Sequence, residues 1–481
     1  MTLKSKAING VKWNSFSSII KVVLQFVQLI ILSRLLSAED FGLMAIVMVV
    51  VGFSQMFIDM GISNAIIYKQ DVSKNQLNSL YWLSIIIGFV TFIIINASAT
   101  LIASLYNNEK LENLLYLISV TFIVIPFGQQ FMVLMQKKLF FYNIAIIEII
   151  SRFLSFVTTV VLAFNDYEVY SLVYGTLVYS VISTLLFVFK GLSFYSPKLH
   201  ISFSEIKEFM SFGFFQLGEK IAIYFSNEFD TILIGYLFGA NDLGVFNIAK
   251  RVVSYPMILI NPIINKVSFP IFAKSNSSDE NLKNIYLKIL RYLSYVNFPI
   301  YFLIFALAQP FVYYALGPNW INAISLIQIL AFTYLIKSTS NPAGSLALSK
   351  GRADLTFYWN VIKLVYVPAA IYVGSIYEMV GVTIALLLIQ VLLYYPTWKF
   401  IVHGICFASL KEYSLSFKKP ILFVIVSGII PLLLIYFLKG DLIKIISGAV
   451  SFSIIYFILV LKYERNLYSE VLKIMVKKEQ L

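Results

Sequence analysis

The feature that most constrains this chain is a succession of fourteen apolar runs of about 20 residues, each bounded by polar or Gly/Pro clusters. They fall at 13–34, 42–66, 80–105, 113–135, 145–164, 169–189, 209–238, 243–272, 286–308, 321–345, 357–376, 379–401, 420–438 and 442–461. A run of this length matches the thickness of a bilayer core when helical. Of the 481 residues, 59% are hydrophobic and only 13% are charged, against about 25% charged in ordinary soluble proteins. That balance excludes a soluble globular enzyme and a disordered chain. The runs do not alternate apolar and polar residues, so an outer-membrane barrel is excluded too. The expected class is an all-α polytopic membrane protein with 14 transmembrane helices. The seventh and eighth runs are long enough to require tilt or extension beyond the bilayer.

The loops give an orientation. With the N-terminus in the cytoplasm, 25 Lys and Arg fall in cytoplasmic segments and 4 in outer ones. Basic residues favour the cytoplasmic side, so both termini are expected there, in a plasma (inner) membrane. Most of the net charge of +13 then records orientation, and no nucleic-acid partner is expected. One cysteine, Cys406, and two histidines, His200 and His403, leave no material for a disulfide or a His/Cys metal site. No metal and no cofactor are expected, and no cleavable signal is visible. Residues 193–209 read as an interfacial connector.

The chain repeats itself at an offset of 202. Residues 30–46 read IILSRLLSAEDFGLMAI and residues 232–248 read ILIGYLFGANDLGVFNI. Asp40 and Asp242 precede helix starts and suit N-caps, while Gly42 and Gly244 permit close backbone approach. In the first span Lys21, Gln25 and Gln28 share one face; in the seventh, Lys220, Asn227 and Asp230 do the same. Polar stripes in apolar spans face a cavity or a protein interior. Each repeat holds six spans in the same orientation, a parallel repeat common in transporters. The expected organisation is a six-helix lobe over 1–195, a second over 203–405, and two additional helices with a basic tail over 406–481.

With Arg34, Lys288, Arg291, Lys399 and Lys444, near run ends, counted with the loops, eight bases and five acids lie inside the runs. A charge at mid-bilayer costs about 2.5–3.5 kcal/mol on insertion scales, so these must pair, snorkel or face a cavity. Lys266 and Asp59 lie near span ends and suit snorkelling. Glu148 and Arg152 are one turn apart and suit an ion pair. Lys250 and Arg251, with no basic counterparts in the second span, are singled out for a role beyond folding. The excess of bases points to an anionic substrate group, phosphate or carboxylate, held by Lys21, Arg152, Lys220, Lys250, Arg251, Lys337 and Lys363. Gln25, Gln28 and Asn227 form the polar cavity stripe. Glu148, Glu219, Glu228 and Asp230 are candidates for coupling to a proton or sodium gradient. Pro256 and Pro262 mark the eighth span as a bending element.

Three segments carry a family resemblance. They are FDTILIGYLFGANDLGVFNIAKRVVSYPMILINPIINKVSFPIFAK (229–274), LGPNWINAISLIQILA (316–331) and NPAGSLALSKGRADLTFYWNVIK (341–363). With LSRLLSAEDFGLMAIVMVVVGFSQMFIDMGISNAIIYK (32–69), they resemble the polysaccharide-transporter, Wzx-like branch of the multidrug/oligosaccharidyl-lipid/polysaccharide exporter superfamily. The resemblance covers residues 1–405. It implies two six-helix bundles that flip undecaprenyl-diphosphate-linked oligosaccharide by alternating access, for O-antigen, capsule or exopolysaccharide synthesis. It implies a monomer that works beside polymerase and chain-length machinery, with lipid-linked oligosaccharide and membrane lipids as partners, and no enzymatic activity. Tyr236 stands where members of the family often carry Arg. The alternatives are a drug/cation antiporter of the same superfamily and a membrane polysaccharide polymerase.

Overall fold

The computed structural model describes residues 3–59, 62–69, 71–275 and 278–464, excepting the side chains of 3–9, 11, 211–216, 219 and 266. Among the described residues there is no strand. The helices are α1 (Leu3–Ser33), α2 (Ala38–Asp59), α3 (Ile62–Tyr68), α4 (Lys74–Leu105), α5 (Lys110–Lys137), α6 (Phe141–Phe164) and α7 (Glu168–Gly191). They continue with α8 (Phe203–Lys274), α9 (Asp279–Phe311), α10 (Ala323–Thr339), α11 (Pro342–Ser349), α12 (Ala353–Ser375) and α13 (Glu378–Leu392). The short α14 (Tyr394–Pro396) and α15 (Gly404–Cys406) flank a π-helical stretch, and α16 (Leu410–Phe437) and α17 (Asp441–Tyr463) end the series.

Thirteen of the described helical segments are long and apolar enough to cross a membrane. One of them, the Lys220–Lys274 part of α8, has 55 residues. At about 1.5 Å per residue it is more than twice as long as a bilayer core of about 30 Å is thick. Gly239 divides it, with φ 80° and ψ −179°, a conformation open essentially to glycine alone. The segment is therefore two spans, and the total is the expected fourteen. Pro256, Pro262 and Pro270 lie inside the helix, whose one non-helical backbone position is Gly239.

The repeat motifs meet at this break. A Cβ on Gly42 would come within 1.7 Å of the Ala240 carbonyl oxygen, and a Cβ on Gly244 within 1.7 Å of the Ala38 carbonyl oxygen. Each pair maps onto the other at the 202-residue offset, so the two motif copies cross reciprocally. Only residues without a side chain allow backbones to approach this closely. The expectation that Asp40 is an N-cap is corrected. Ser37 precedes the first residue of α2 and its Oγ accepts from the Asp40 amide at 3.2 Å; Asp40 Oδ2 accepts in return from the Ser37 amide at 2.9 Å. This is a capping box with Asp40 at its third helical position. Asp242 holds the same place after the Gly239 break. Asp40 Oδ1 also accepts from the Val169 amide at 3.2 Å, so one buried carboxylate caps both α2 and α7.

The chain divides into two compact units, 1–247 and 248–481. In the first, α5 is the central helix, with Leu111, Leu114, Leu115, Ile118 and Phe122 fully buried. Pro126 deprives the Phe122 carbonyl of its amide partner. Gly88 of α4 packs there: a Cβ on it would lie 2.4 Å from that oxygen. The connector after α7 is tied to the first turns of α4. Asn78 Oδ1 accepts from the Tyr195 hydroxyl at 2.9 Å and the Lys198 amide at 3.0 Å. Trp82 Nε1 donates to the Lys198 carbonyl at 3.0 Å, and Ser79 Oγ accepts from the Ser202 amide at 3.0 Å. Leu199 and Ile201 of this strap stay exposed.

In the second unit Phe272, Leu282, Tyr286, Leu290, Leu346, Ile401, Cys406 and Tyr413 form one buried cluster. Arg291 of α9 and Lys419 of α16 both bond Glu464 at the end of α17, Lys419 at 2.7 Å. Along α16 the residues Leu422, Ile425, Val426, Ile429, Leu432 and Leu433 are exposed. A wholly apolar exposed face is stable only against lipid.

Candidate functional site

The intramembrane charges of the first unit are placed one by one by their helices. Lys21 of α1 reaches across to α6, its Nζ 2.6 Å from Glu148 Oε2, and Ser17 Oγ, one turn before, donates to the same oxygen at 3.0 Å. The expected Glu148–Arg152 pair is thereby replaced by a bond between helices. A Lys–Glu pair held by a third donor meets the hydrogen-bonding demand of a half-buried carboxylate better than a flanking Arg alone. Arg152 lies one turn further along α6. Its guanidinium stacks over the Tyr179 ring of α7 at 4.5 Å, and its Nε is buried with no hydrogen-bond partner among the described residues. An Arg held this way keeps much of its charge available.

The second ion pair joins Lys220 Nζ and Asp59 Oδ2 at 2.6 Å. Asp59 is thus engaged inside the protein and not snorkelling from a helix end. Its other oxygen, Oδ1, is buried and has no partner among the described residues. Nearby, the Tyr224 hydroxyl donates to the Val49 carbonyl at 2.7 Å, over the space that Gly52 leaves.

Asp59 opens onto a cavity of about 360 Å³ between α2, α5 and α7. Its polar lining is Gln55 and Asp59 from α2, Thr121 and Gln129 from α5, and Thr176, Tyr179, Ser180, Ser183 and Thr184 from α7. Tyr179 has Arg152 against its ring and so links the guanidinium to the cavity. Gly128 lets α5 approach α7, since a Cβ there would lie 2.9 Å from the Thr184 Cα. Sequence reasoning missed this group. The available signal was the stripe Thr176, Ser180, Ser183 and Thr184 at i, i+4, i+7 and i+8 of an apolar span.

The remaining expected residues are spread over the chain. Gln25 and Gln28 are half-buried on α1, and Asn227 is exposed on α8. Glu228 and Asp230 both bond the Thr231 hydroxyl, each at 3.3 Å. The side chains of Glu219 and Lys266 lie outside the described residues. In the second unit Lys250 and Arg251 are half-buried on α8. Lys337 sits over the Tyr334 ring at 5.3 Å, and Lys363 Nζ is 3.3 Å from Asn360 Oδ1. Among the described residues no group of three His, Cys, Asp or Glu could hold a metal ion.

Comparison with known proteins gives this arrangement its context. The model of the family described as "Polysaccharide biosynthesis protein" matches residues 31–325, more than half of the chain. The chain belongs to this family. Within the polysaccharide biosynthesis proteins it is similar to the lipopolysaccharide biosynthesis protein WzxC of Escherichia coli (strain K12), 32% identical over 92% of this chain and 90% of that one. It is also similar to the teichuronic acid biosynthesis protein TuaB of Bacillus subtilis (strain 168), 30% identical over 89% of each chain. Among solved structures it is similar in fold to the lipid II flippase MurJ in an inward closed conformation. The TM-score is 0.75 at 14% identity, over 96% of this chain and all of that one. A multidrug resistance transporter of the MATE family, inward-facing, gives a TM-score of 0.58 at 15% identity, over 79% of this chain and 94% of that one. The family and the helical membrane fold expected from the sequence are both found.

Proposed function

We propose that this polysaccharide biosynthesis protein is a flippase and not an enzyme. It would carry undecaprenyl-diphosphate-linked oligosaccharide across the bacterial inner membrane for surface polysaccharide synthesis. The observation that supports it best is Arg152, a cation set in an apolar span, stacked on Tyr179 beside a hydroxyl-lined cavity. An anion attached to a polar saccharide is the chemistry such a pairing suits. The relatives named for lipopolysaccharide and teichuronic acid biosynthesis, matched over about nine-tenths of the chain, support the same substrate class.

In this reading Arg152, Lys250, Arg251, Lys337 and Lys363 hold the diphosphate or acidic sugars, Lys21 and Lys220 join them only on release from Glu148 and Asp59, and Gln25, Gln28 and Asn227 line the route. Glu148, Glu219, Glu228 and Asp230 carry coupling protons or sodium ions. Lobes over 1–195 and 203–405 rock between inward and outward openings, with both termini cytoplasmic. The protein works as a monomer alongside polymerase and chain-length machinery.

Deletion of the gene, followed by analysis of undecaprenyl-linked saccharides, tests the proposal. The expected result is accumulation of one lipid-linked repeat unit on the cytoplasmic side, cleared by the wild-type protein. Export of cationic dyes from liposomes without movement of lipid-linked sugar would instead establish an antiporter.

A further inference from the structure

We propose that the cavity between α2, α5 and α7 is a subsite for a single uncharged pyranose ring of the translocated saccharide. The inference rests on the flippase reading and adds where the sugar is held and of what kind it is. The lining excludes the competing ligands in turn. Its one carboxylate, Asp59, is already neutralised by Lys220 at 2.6 Å, so the wall carries no net charge to hold a diphosphate or an organic cation. A cation site gathers oxygens at about 2.0–2.6 Å around one point. A cavity of 360 Å³ has room for about a dozen waters at about 30 Å³ each, far more than an ion needs. A lipid tail would leave Asp59 Oδ1, buried and without a partner among the described residues, facing hydrocarbon, which is costly.

What does match is a polyol. Thr121, Thr176, Ser180 and Ser183 give their hydrogens to carbonyls of their own helices and so offer acceptor oxygens, while Gln55 and Gln129 offer amides that both donate and accept. Asp59 Oδ1 is buried and without a partner among the described residues. A ring hydroxyl would satisfy it. Tyr179 contributes an apolar surface, with the Arg152 guanidinium 4.5 Å from its ring. The order of groups along the protein, cation then aromatic then hydroxyl pocket, matches the order diphosphate then sugar along the ligand. The volume lies at the lower end of the range of about 300–1,000 Å³ for small-molecule sites, enough for one ring and not for a whole repeat unit.

Two arms test this with the purified full-length protein and with cells. In the first, saturation-transfer NMR measures methyl β-D-glucopyranoside, methyl N-acetyl-β-D-glucosaminide and methyl β-D-glucuronide against wild type, Ser183→Leu and Thr176→Leu. Both substitutions add apolar volume to the cavity in an apolar span, and melting curves confirm that the variants fold. A neutral glycoside should receive saturation in the wild type, and each variant should weaken it about tenfold, the loss of one or two hydrogen bonds. Leu199→Ser, on the exposed strap, should change nothing. In the second arm the folded variants should fail to clear the lipid-linked repeat that the deletion strain accumulates. The inference is overturned if no neutral glycoside binds, if the glucuronide binds better, or if Ser183→Leu and Thr176→Leu bind like wild type. It is also overturned if the variants lose glycoside binding yet clear the lipid-linked repeat normally, since the cavity would then serve free sugar. Glycoside binding in a wild type that clears no repeat would overturn the flippase reading and leave a sugar cavity standing.

Discussion

Lys21 Nζ and Glu148 Oε2 lie 2.6 Å apart, with both side chains about one quarter exposed. The bond ties α1 to α6. It also means that a cation nominated for substrate binding already has a partner inside the protein, so any anion must compete with Glu148 for it. Lys21→Gln and Glu148→Gln should each lower the melting temperature in detergent. The double variant should lose less than the sum, with a coupling of about 1 kcal/mol. Additive losses in the cycle would show that the pair contributes nothing to stability.

Gly42→Ala should destabilise the protein by about 1–3 kcal/mol, as overpacking does, because its new Cβ has no room beside the Ala240 carbonyl. Gly244→Ala should match it, since the clash with Ala38 has the same size. Gly344→Ala, where nothing lies within 4 Å, should be neutral or slightly stabilising. Thermal unfolding of the three variants makes the comparison.

Asp40→Ala removes an acceptor that serves two helix starts. A lost cap costs about 1 kcal/mol, so the variant should lose about 2 kcal/mol. Asp40→Asn, which keeps one acceptor oxygen, should lose about half of that. Equal losses would indicate that the charge matters more than the second cap.

Glu464 carries the pH prediction. Burial opposes its ionisation, but the Lys419 hydrogen bond and the Arg291 charge outweigh burial and hold the carboxyl below its ordinary value of 4.5. A depressed carboxylate stabilises the fold above its unfolded pKa, and that contribution is lost as pH falls through the folded value. Melting temperature should therefore drop as pH falls below about 4.5. Glu464→Gln should lose about 1 kcal/mol at neutral pH, the size of a partly exposed ion pair, and show a shallower acid decline.

Lys250→Ala with Arg251→Ala should reduce polymer export severalfold while leaving insertion and abundance unchanged. Quantified surface polysaccharide and membrane immunoblots check both halves of the statement. Normal export in the double variant would remove these residues from the substrate route.

The spans were legible because hydropathy alone decides them, and the 202-residue repeat was legible because Gly42 and Gly244 stand at contacts that tolerate no side chain. The charge partners were not. The Lys21–Glu148 and Lys220–Asp59 bonds join residues more than a hundred positions apart, and periodicity within one helix could suggest only the local Glu148–Arg152 pair. The cavity was hidden for a different reason. Serine and threonine return hydrogen bonds to their own helix, as Thr176 does to Leu172 and Ser180 to Thr176, so a hydroxyl stripe looks unremarkable in an apolar span.

The reciprocal crossing of the motif copies also speaks to descent. Contacts in which residue i meets j while j's counterpart meets i's are the signature of an isologous, two-fold interface between identical subunits. Gly42 on Ala240 and Gly244 on Ala38 have that form within one polypeptide. A six-helix ancestor bearing a single copy could have paired with its twin through this motif, and fusion of two such genes would have preserved the interface. In that scheme the halves then diverged, as Lys250 and Arg251 show, which align at the 202-residue offset with Met48 and Val49.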